Sequence, residues 1–188
     1  MQPTITVTKV RPGMKALANS LELLTRKRVL VGIPATNAME RKRQLMSLAQ
    51  TMTGKRRRRT EHMAVVSPIN NAELLYILSN GSPLKHIPPA PVIEPALTDK
   101  QNQAKILPEL KAAAQAAMQP KPNPALVERQ LKLAGIVAEN ACKEWFTNPR
   151  NNWPPNAPST IKAKGSSRRN IDTSALRQAL TSVVVDSK

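Results

Sequence analysis

Apolar residues recur along this chain at two different periods, and the switches between them divide it into elements. Ile5-Thr6-Val7-Thr8-Lys9-Val10 alternates β-branched residues, which predicts a strand broken by Pro12-Gly13. Leu17, Leu21 and Leu24 then repeat at helical spacing through Met14–Lys27. Val29-Leu30-Val31 predicts a second strand, stopped by Pro34. Asn37, with Glu40 three residues on, has the form of a capping box opening a helix to about Met52. His62-Met63-Ala64-Val65-Val66 predicts a further strand.

The second half is more strongly patterned. Asn70 and Glu73 fit an N-cap and its N3 partner, with Leu74, Leu75, Ile77 and Leu78 on the apolar face and Asn80-Gly81 as a left-handed stop. The Pro83–Pro95 stretch is extended, because each proline drives its predecessor out of helical space. A helix is expected from Glu94–Pro95 toward Met118, kinked or restarted at Pro108. Residues 119–124 form a proline-rich linker that ends on Asn123-Pro124, a cap followed by the favoured N1 proline. The next helix carries the clearest stripe: Val127, Leu131, Ala134, Ala138, Ala141 or Cys142, and Trp145. Glu128, Lys132, Glu139 and Lys143 lie opposite. Beyond Asn148-Pro149 come a loop through Trp153-Pro154-Pro155, a Ser159-Thr160 turn, the basic pair Arg168-Arg169, a short helix capped by Asp172 and a Val183-Val184-Val185 strand. Strands at both ends, one between, and several helices give an α+β fold. Its small, largely antiparallel sheet is packed by the helices, all in a single domain over residues 1–188.

Composition sharpens this picture at three points. Aromatics make up only 2% of the chain, so the core is aliphatic, and Trp145, Phe146 and Trp153 are expected to plug its end rather than form an interface. Cys142 is a lone cysteine on an apolar helical face, expected as a buried structural thiol in a reducing compartment. No apolar run approaches the length of a membrane span, and no basic-then-apolar leader opens the sequence, so no membrane partner is expected.

Charge is the strongest bias. Twenty-nine Lys and Arg against twelve Asp and Glu give a formal +17, a field that attracts polyanions and acidic protein surfaces alike. Part of it sits on Arg41-Lys42-Arg43, and more on Lys55-Arg56-Arg57-Arg58-Arg59. Adjacent cations repel and resist burial, so this second cluster is expected as the exposed, mobile tip of a basic, hairpin-like arm over about 34–66. Two readings of it stay open: a solvated or protein-facing tip, and a sequence-independent contact with DNA phosphates. No recognition helix or set of stacking aromatics accompanies it, so base-specific readout is not expected.

Catalytic chemistry finds no constellation. His62 and His86 lack neighbouring ligands at metal spacing, Gly54-Lys55 lacks the rest of a phosphate loop, and Asp99, Asp172 and Asp186 form no evident pair. The expectation is a non-enzyme without cofactor or metal.

Two separated segments carry a resemblance. Asn70–Gly81 followed by Ile87-Pro88-Pro89-Ala90-Pro91-Val92-Ile93-Glu94-Pro95 is the first. The second is Pro158-Ser159-Thr160-Ile161-Lys162-Ala163-Lys164, then Asn170-Ile171-Asp172-Thr173-Ser174-Ala175-Leu176-Arg177, closing on Thr181–Val185. In this order, with the Val31-Gly32-Ile33-Pro34 segment, they resemble the virion-morphogenesis and tail-completion proteins of tailed bacteriophages. Gly81, Pro91, Thr160, Asp172, Thr173 and Leu176 match that pattern. Asn80 stands for its phenylalanine, Ala90 for its arginine, and Ser174 for the glycine of its aspartate-threonine-glycine. The resemblance implies a structural virion protein of the neck, a ring subunit of six-fold or twelve-fold symmetry that completes the tail and joins it to the head connector. Implied partners are other neck, connector and tail-tube proteins, with non-specific contact to channel DNA. The implied location is the virion, after assembly in the host cytoplasm. The alternatives are a connector adaptor or stopper, or a basic nucleic-acid-binding protein that ignores sequence.

Overall fold

The structure, a computed structural model, describes residues 12–35, 38–66 and 69–187. Its α-helices are α1 (Pro12–Thr25), α2 (Ala38–Gln50), α3 (Gly54–Val66), α4 (Asn71–Asn80), α5 (Ile93–Thr98), α6 (Lys100–Ala117), α7 (Pro124–Trp145), α8 (Pro158–Lys164) and α9 (Ala175–Gln178). Strands β1 (Lys27–Gly32) and β2 (Thr181–Asp186) pair antiparallel, from Lys27 opposite Asp186 to Gly32 opposite Thr181. The fold is α+β, helices packed on a two-stranded antiparallel sheet. The expected strand at Ile5–Val10 and the Asn37 cap lie outside the described residues.

Helix α7 is the centre of the molecule, and its sequence explains why. The Asn123 side chain accepts from the backbone N–H of Ala125 and Leu126, and Pro124 occupies the first turn, where its missing donor costs nothing. Val127, Leu131, Ala134, Ala138, Ala141, Cys142 and Trp145 are all buried, as the stripe predicted. Its first half packs on Ala113, Ala116 and Ala117 of α6, whose small side chains let the two helices approach closely. Leu23 and Leu24 of α1 join this cluster, and so do Val29 and Val184 of the sheet. Its second half brings Cys142, Trp145 and Phe146 against Leu75 of α4, Val92, Ala96 of α5, and Leu176 and Leu180 around α9. Each fully buried Leu or Val side chain there contributes about 1.5–3 kcal/mol.

The sheet crosses α7 at Gly135, which periodicity did not single out. A Cβ there would stand 3.1 Å from Ser182 Oγ and 3.2 Å from Val29 Cγ1, tighter than ordinary contact, so a larger residue would make these side chains give. Nearby, the face read as solvent-facing turns partly inward. The Glu139 carboxylate accepts from Lys143 Nζ at 2.6 Å and from Ser182 Oγ at 3.0 Å, and Glu128 reaches Lys27 at 3.6 Å. These carboxylates tie the helix to the strands.

Four expectations change. Residues 54–66 form a helix instead of a loop and strand, so the basic arm is a helical hairpin, α2 against α3, rather than an extended excursion. Leu45 and Ala64 are fully buried between its arms, together with Ala175. Arginine and lysine favour helix, and winding spreads the five cations around the axis instead of stacking them on one face. Helix α5 breaks from α6 at Asp99, whose carboxylate caps Gln101 and Asn102, while Pro108 lies inside an unbroken α6 on an exposed face. The Ser159-Thr160 segment is helical, closing on Gly165 in the left-handed conformation. Gly81 is at positive φ as expected, but with ψ near 179° it lies in a region that only glycine readily adopts rather than in the left-handed helical one.

Pro83–Lys85, expected as extended, instead forms one 3-10 turn that ends on His86 in the left-handed conformation, while three other readings hold. The Asn70–Glu73 capping box forms both of its hydrogen bonds. Trp145 and Phe146 are core residues, and Trp153 packs edge-on against Phe146 with ring centres 5.9 Å apart. Cys142 is fully buried, and burial together with nearby Glu139 pushes its thiol up to about 11.

Two outcomes are expected. Gly135→Val must push Ser182 and Val29 off the helix, destabilising the protein by about 1–3 kcal/mol in chemical denaturation; an unchanged midpoint would mean that the sheet yields freely. At Glu139, burial works to raise the carboxyl, but the hydrogen bonds from Lys143 and Ser182 outweigh it and hold it below its ordinary value. Its contribution is therefore present above the unfolded-state carboxylate pKa of about 4.3 and lost as pH falls through the lower folded value. Glu139→Gln should cost about 1 kcal/mol at pH 7 and nothing once the carboxylate is protonated. Paired melting curves from pH 7 to pH 3 measure the convergence.

Candidate functional site: a basic cavity beside the helical hairpin

The hairpin sorts its cations by the turn of the helix. Along α2, Arg41, Leu45 and Ala49 share the inward face, so Arg41 is only 5% exposed while Lys42 and Arg43 point to solvent. Arg41 Nη1 donates to Asn71 Oδ1 at 2.6 Å. Asn71 Nδ2 donates to Gln44 Oε1 at 2.7 Å, and Gln44 Nε2 donates to the Ala175 carbonyl at 3.0 Å. This relay joins α2, α4 and α9 through partly or fully buried polar groups.

Along α3 the division is similar. Arg59 pairs with the Asp172 carboxylate at 2.9 Å and donates to the Ala163 carbonyl at 2.7 Å. Arg56 reaches the Asp172 carbonyl at 3.3 Å. Arg57 pairs with Glu61 one turn on, at 2.8 Å. Lys55 and Arg58 are exposed and make no ion pair among the described residues. The cluster expected as a mobile, solvated tip is therefore an ordered helix, with three of its arginines engaged in intramolecular contacts. Asp172 is correspondingly not the cap of α9: it faces Arg59, while Thr173 Oγ1 accepts from the Ala175 N–H at 3.3 Å.

The segments held this way enclose a cavity of about 670 Å³. Arg41, Thr160, Asp172, Thr173 and Leu176, all singled out in the sequence, line it together. Gly81 and Pro91 shape the adjoining loop without lining it. A Cβ at Gly81 would lie 2.6 Å from the Ile87 carbonyl oxygen and 2.9 Å from Pro89 N, so only glycine fits this turn. The Pro91 carbonyl accepts from Trp153 Nε1 at 3.0 Å. Lys42, Arg43, Lys55 and Arg58 remain on the outer surface and do not join the cavity.

Three contributors were missed. Arg169 clamps two proline-rich loops, donating to the carbonyls of Pro88 at 2.6 Å and Pro154 at 2.8 Å. Lys164 lines the cavity and donates to the Arg168 carbonyl at 2.8 Å, and Asn170 enters at a positive φ of 55°. The Arg168-Arg169 pair was visible as charge, but nothing local marks which arginine turns inward.

The electrostatics are one-sided. Arg41, Lys85, Lys164 and Arg169 line the space, and the one carboxylate there, Asp172, is already engaged by Arg59. Burial lowers the Arg41 and Arg169 guanidinium groups from their ordinary range. Lys164 is lowered chiefly by burial; Asp172 opposes that shift, and Arg59 and Arg169 add to it. Arg41 Nε, Arg169 Nε and Asn170 Nδ2 are buried donors without a hydrogen-bond acceptor. Among the described residues no group of three or more His, Cys, Asp and Glu is arranged to hold a metal ion, and no helix is long and apolar enough to cross a membrane.

Comparison of the chain with protein-family models, with curated proteins and with solved structures finds no match.

The inward and outward arginines of α3 should separate in a stability measurement. Arg59→Ala removes a partly buried pair and should cost about 1 kcal/mol, whereas Arg58→Ala should stay within about 0.5 kcal/mol. In a double-mutant cycle, Arg59→Ala and Asp172→Ala should be coupled, and Arg58→Ala and Asp172→Ala should be additive. Equal, additive effects would place the Asp172 contact outside the fold's energetics.

Proposed function

We propose that this chain is a structural subunit of the neck of a tailed-phage particle, one member of a ring that completes the tail and joins it to the head connector. The observation that carries this reading is the backbone at Ser174. It sits at φ 67°, ψ 0°, a left-handed conformation that favours glycine, at the position where the resembled aspartate-threonine-glycine pattern has glycine. A glycine-like backbone at this position supports the reading although the residue is serine. The two resembling segments also meet in space: Leu75 and Val92 of the first share a core with Leu176 and Leu180 around the second.

A closed ring needs a head-to-tail interface between identical subunits. The outer face of the sheet suits such a contact, because Leu30 and Val183 stand opposite each other and are 51% and 46% exposed. Strand edges are a second means of joining neighbours. In this reading the subunit works by assembly without catalysis, in a six-fold or twelve-fold ring. The exposed Lys42, Arg43, Lys55 and Arg58 make sequence-independent contact with channel DNA or with an acidic neck partner. An adaptor or stopper position within the neck rests on the same features. A free-standing nucleic-acid-binding protein is the second reading, favoured by the net charge of +17.

The test is genetic and structural. A phage lacking this protein should make filled heads and finished tails that fail to join, visible by electron microscopy of the lysate. The purified chain should form rings, and Leu30→Glu with Val183→Lys, which keeps a cross-strand pair of opposite charge, should leave folded single subunits. Joined, infectious particles from the deletion would remove the neck assignment. Tight, salt-sensitive DNA binding by single subunits would then favour the second reading.

A further inference from the structure

We propose that the cavity beside the helical hairpin is a receptor for a carboxylate-bearing peptide segment of a partner protein, with Arg41, Lys164 and Arg169 as its cationic floor. This goes beyond the neck assignment and holds whether or not that assignment does.

The argument begins with unpaired donors. A buried N–H without an acceptor costs about 1–3 kcal/mol, and more when the group is charged, so a folded protein rarely keeps one. Here three such donors, Arg41 Nε, Arg169 Nε and Asn170 Nδ2, belong to residues lining one cavity. Arg41 is the decisive case. It is 5% exposed, its Nη1 is committed to a neutral amide, and no carboxylate pairs with it among the described residues. Leaving a buried guanidinium without a counter-charge is among the costlier arrangements available to a protein. Its sequence neighbours Lys42 and Arg43 carry the same charge at the surface, so solubility does not require the one placed inside.

The missing group is an acceptor with negative charge. A carboxylate presents acceptor oxygens only and forms short, charge-assisted bonds to guanidinium N–H groups. The walls determine what carries it. Met63, Leu74, Leu78 and Ile87 give the cavity an apolar side, which matches the methylene stem of glutamate or a neighbouring aliphatic residue. Its volume of about 670 Å³ lies in the range of ligand sites and exceeds what one bare anion fills. Duplex DNA fits poorly, because its phosphates lie on a convex surface and Arg41 is only 5% exposed. The outer cations Lys55 and Arg58 are the ones DNA would meet.

The test uses the full-length protein and a fluorescein-labelled peptide of alternating glutamate and leucine, with its glutamine counterpart as control. Fluorescence anisotropy should show saturable micromolar binding of the glutamate peptide and none of the glutamine peptide. Lys164→Met should weaken binding at least ten-fold with an unchanged melting curve, and Arg41→Met should abolish it. Arg129→Ala, an exposed cation on the far part of α7, should have no effect. Should Arg41→Met fail to fold, Lys164→Met decides alone. Absence of binding, or binding that Lys164→Met leaves unchanged, overturns the proposal. Inorganic phosphate that displaces the peptide at equal concentration would make this a small-anion site and overturn the peptide assignment. A duplex that competes equally, through Arg41 and Lys164, would overturn it in favour of DNA.

Discussion

The two larger apolar clusters of this fold depend on α7, whose apolar stripe is buried along its length by different partners. Its first half is covered by the alanines of α6 and by the sheet, its second half by α4, α5 and α9. Gly135 marks a close approach, where an added Cβ would press on Ser182 and Val29 of the sheet. A chain with 2% aromatic residues has few large side chains to fill gaps, so it relies on close contact between small ones.

On this framework the protein places an unusual amount of positive charge indoors. Charges at a surface repel weakly because water and salt screen them, while those in a cavity do so strongly. The structure manages part of the difficulty by giving Arg59 a carboxylate at Asp172 and by letting Arg169 donate to several loop carbonyls. Arg41 receives only an amide, and Lys164 a backbone carbonyl. A buried polar group that folds without full compensation calls for an explanation, and a bound molecule is one.

The same cations also hold the architecture together. Arg56 and Arg59 fasten the hairpin to the segment carrying Asp172, and Arg169 fastens that segment to the proline-rich loops around Pro88 and Pro154. The segment around Pro88 and the segment carrying Asp172 are therefore bound to one another by arginine as well as by the apolar core. An event in the cavity would be felt by both loops and by α9, since all three share its wall and its hydrogen bonds.

Where local chemistry is decisive, the amino-acid sequence alone was enough. The Asn70–Glu73 box, the Asn123-Pro124 start of α7 and its buried stripe are set by residues within a turn or two of one another, so they can be read directly. The α+β class follows from the same patterns. Gly81 was legible as a stop, though the approach of the Ile87 carbonyl that makes glycine obligatory was not. The fate of the cations was decided only in three dimensions. Arg58 and Arg59 are chemically identical neighbours, and helical rotation sends one to water and the other to a carboxylate 113 positions away. Repulsion within the run suggested a loop, but the partners that offset it, Asp172 and the Ala163 carbonyl, lie far along the chain. Arg41 and Arg169 converge on one cavity for the same reason: the burial of a charge depends on which elements close over it, and tertiary packing alone determines that.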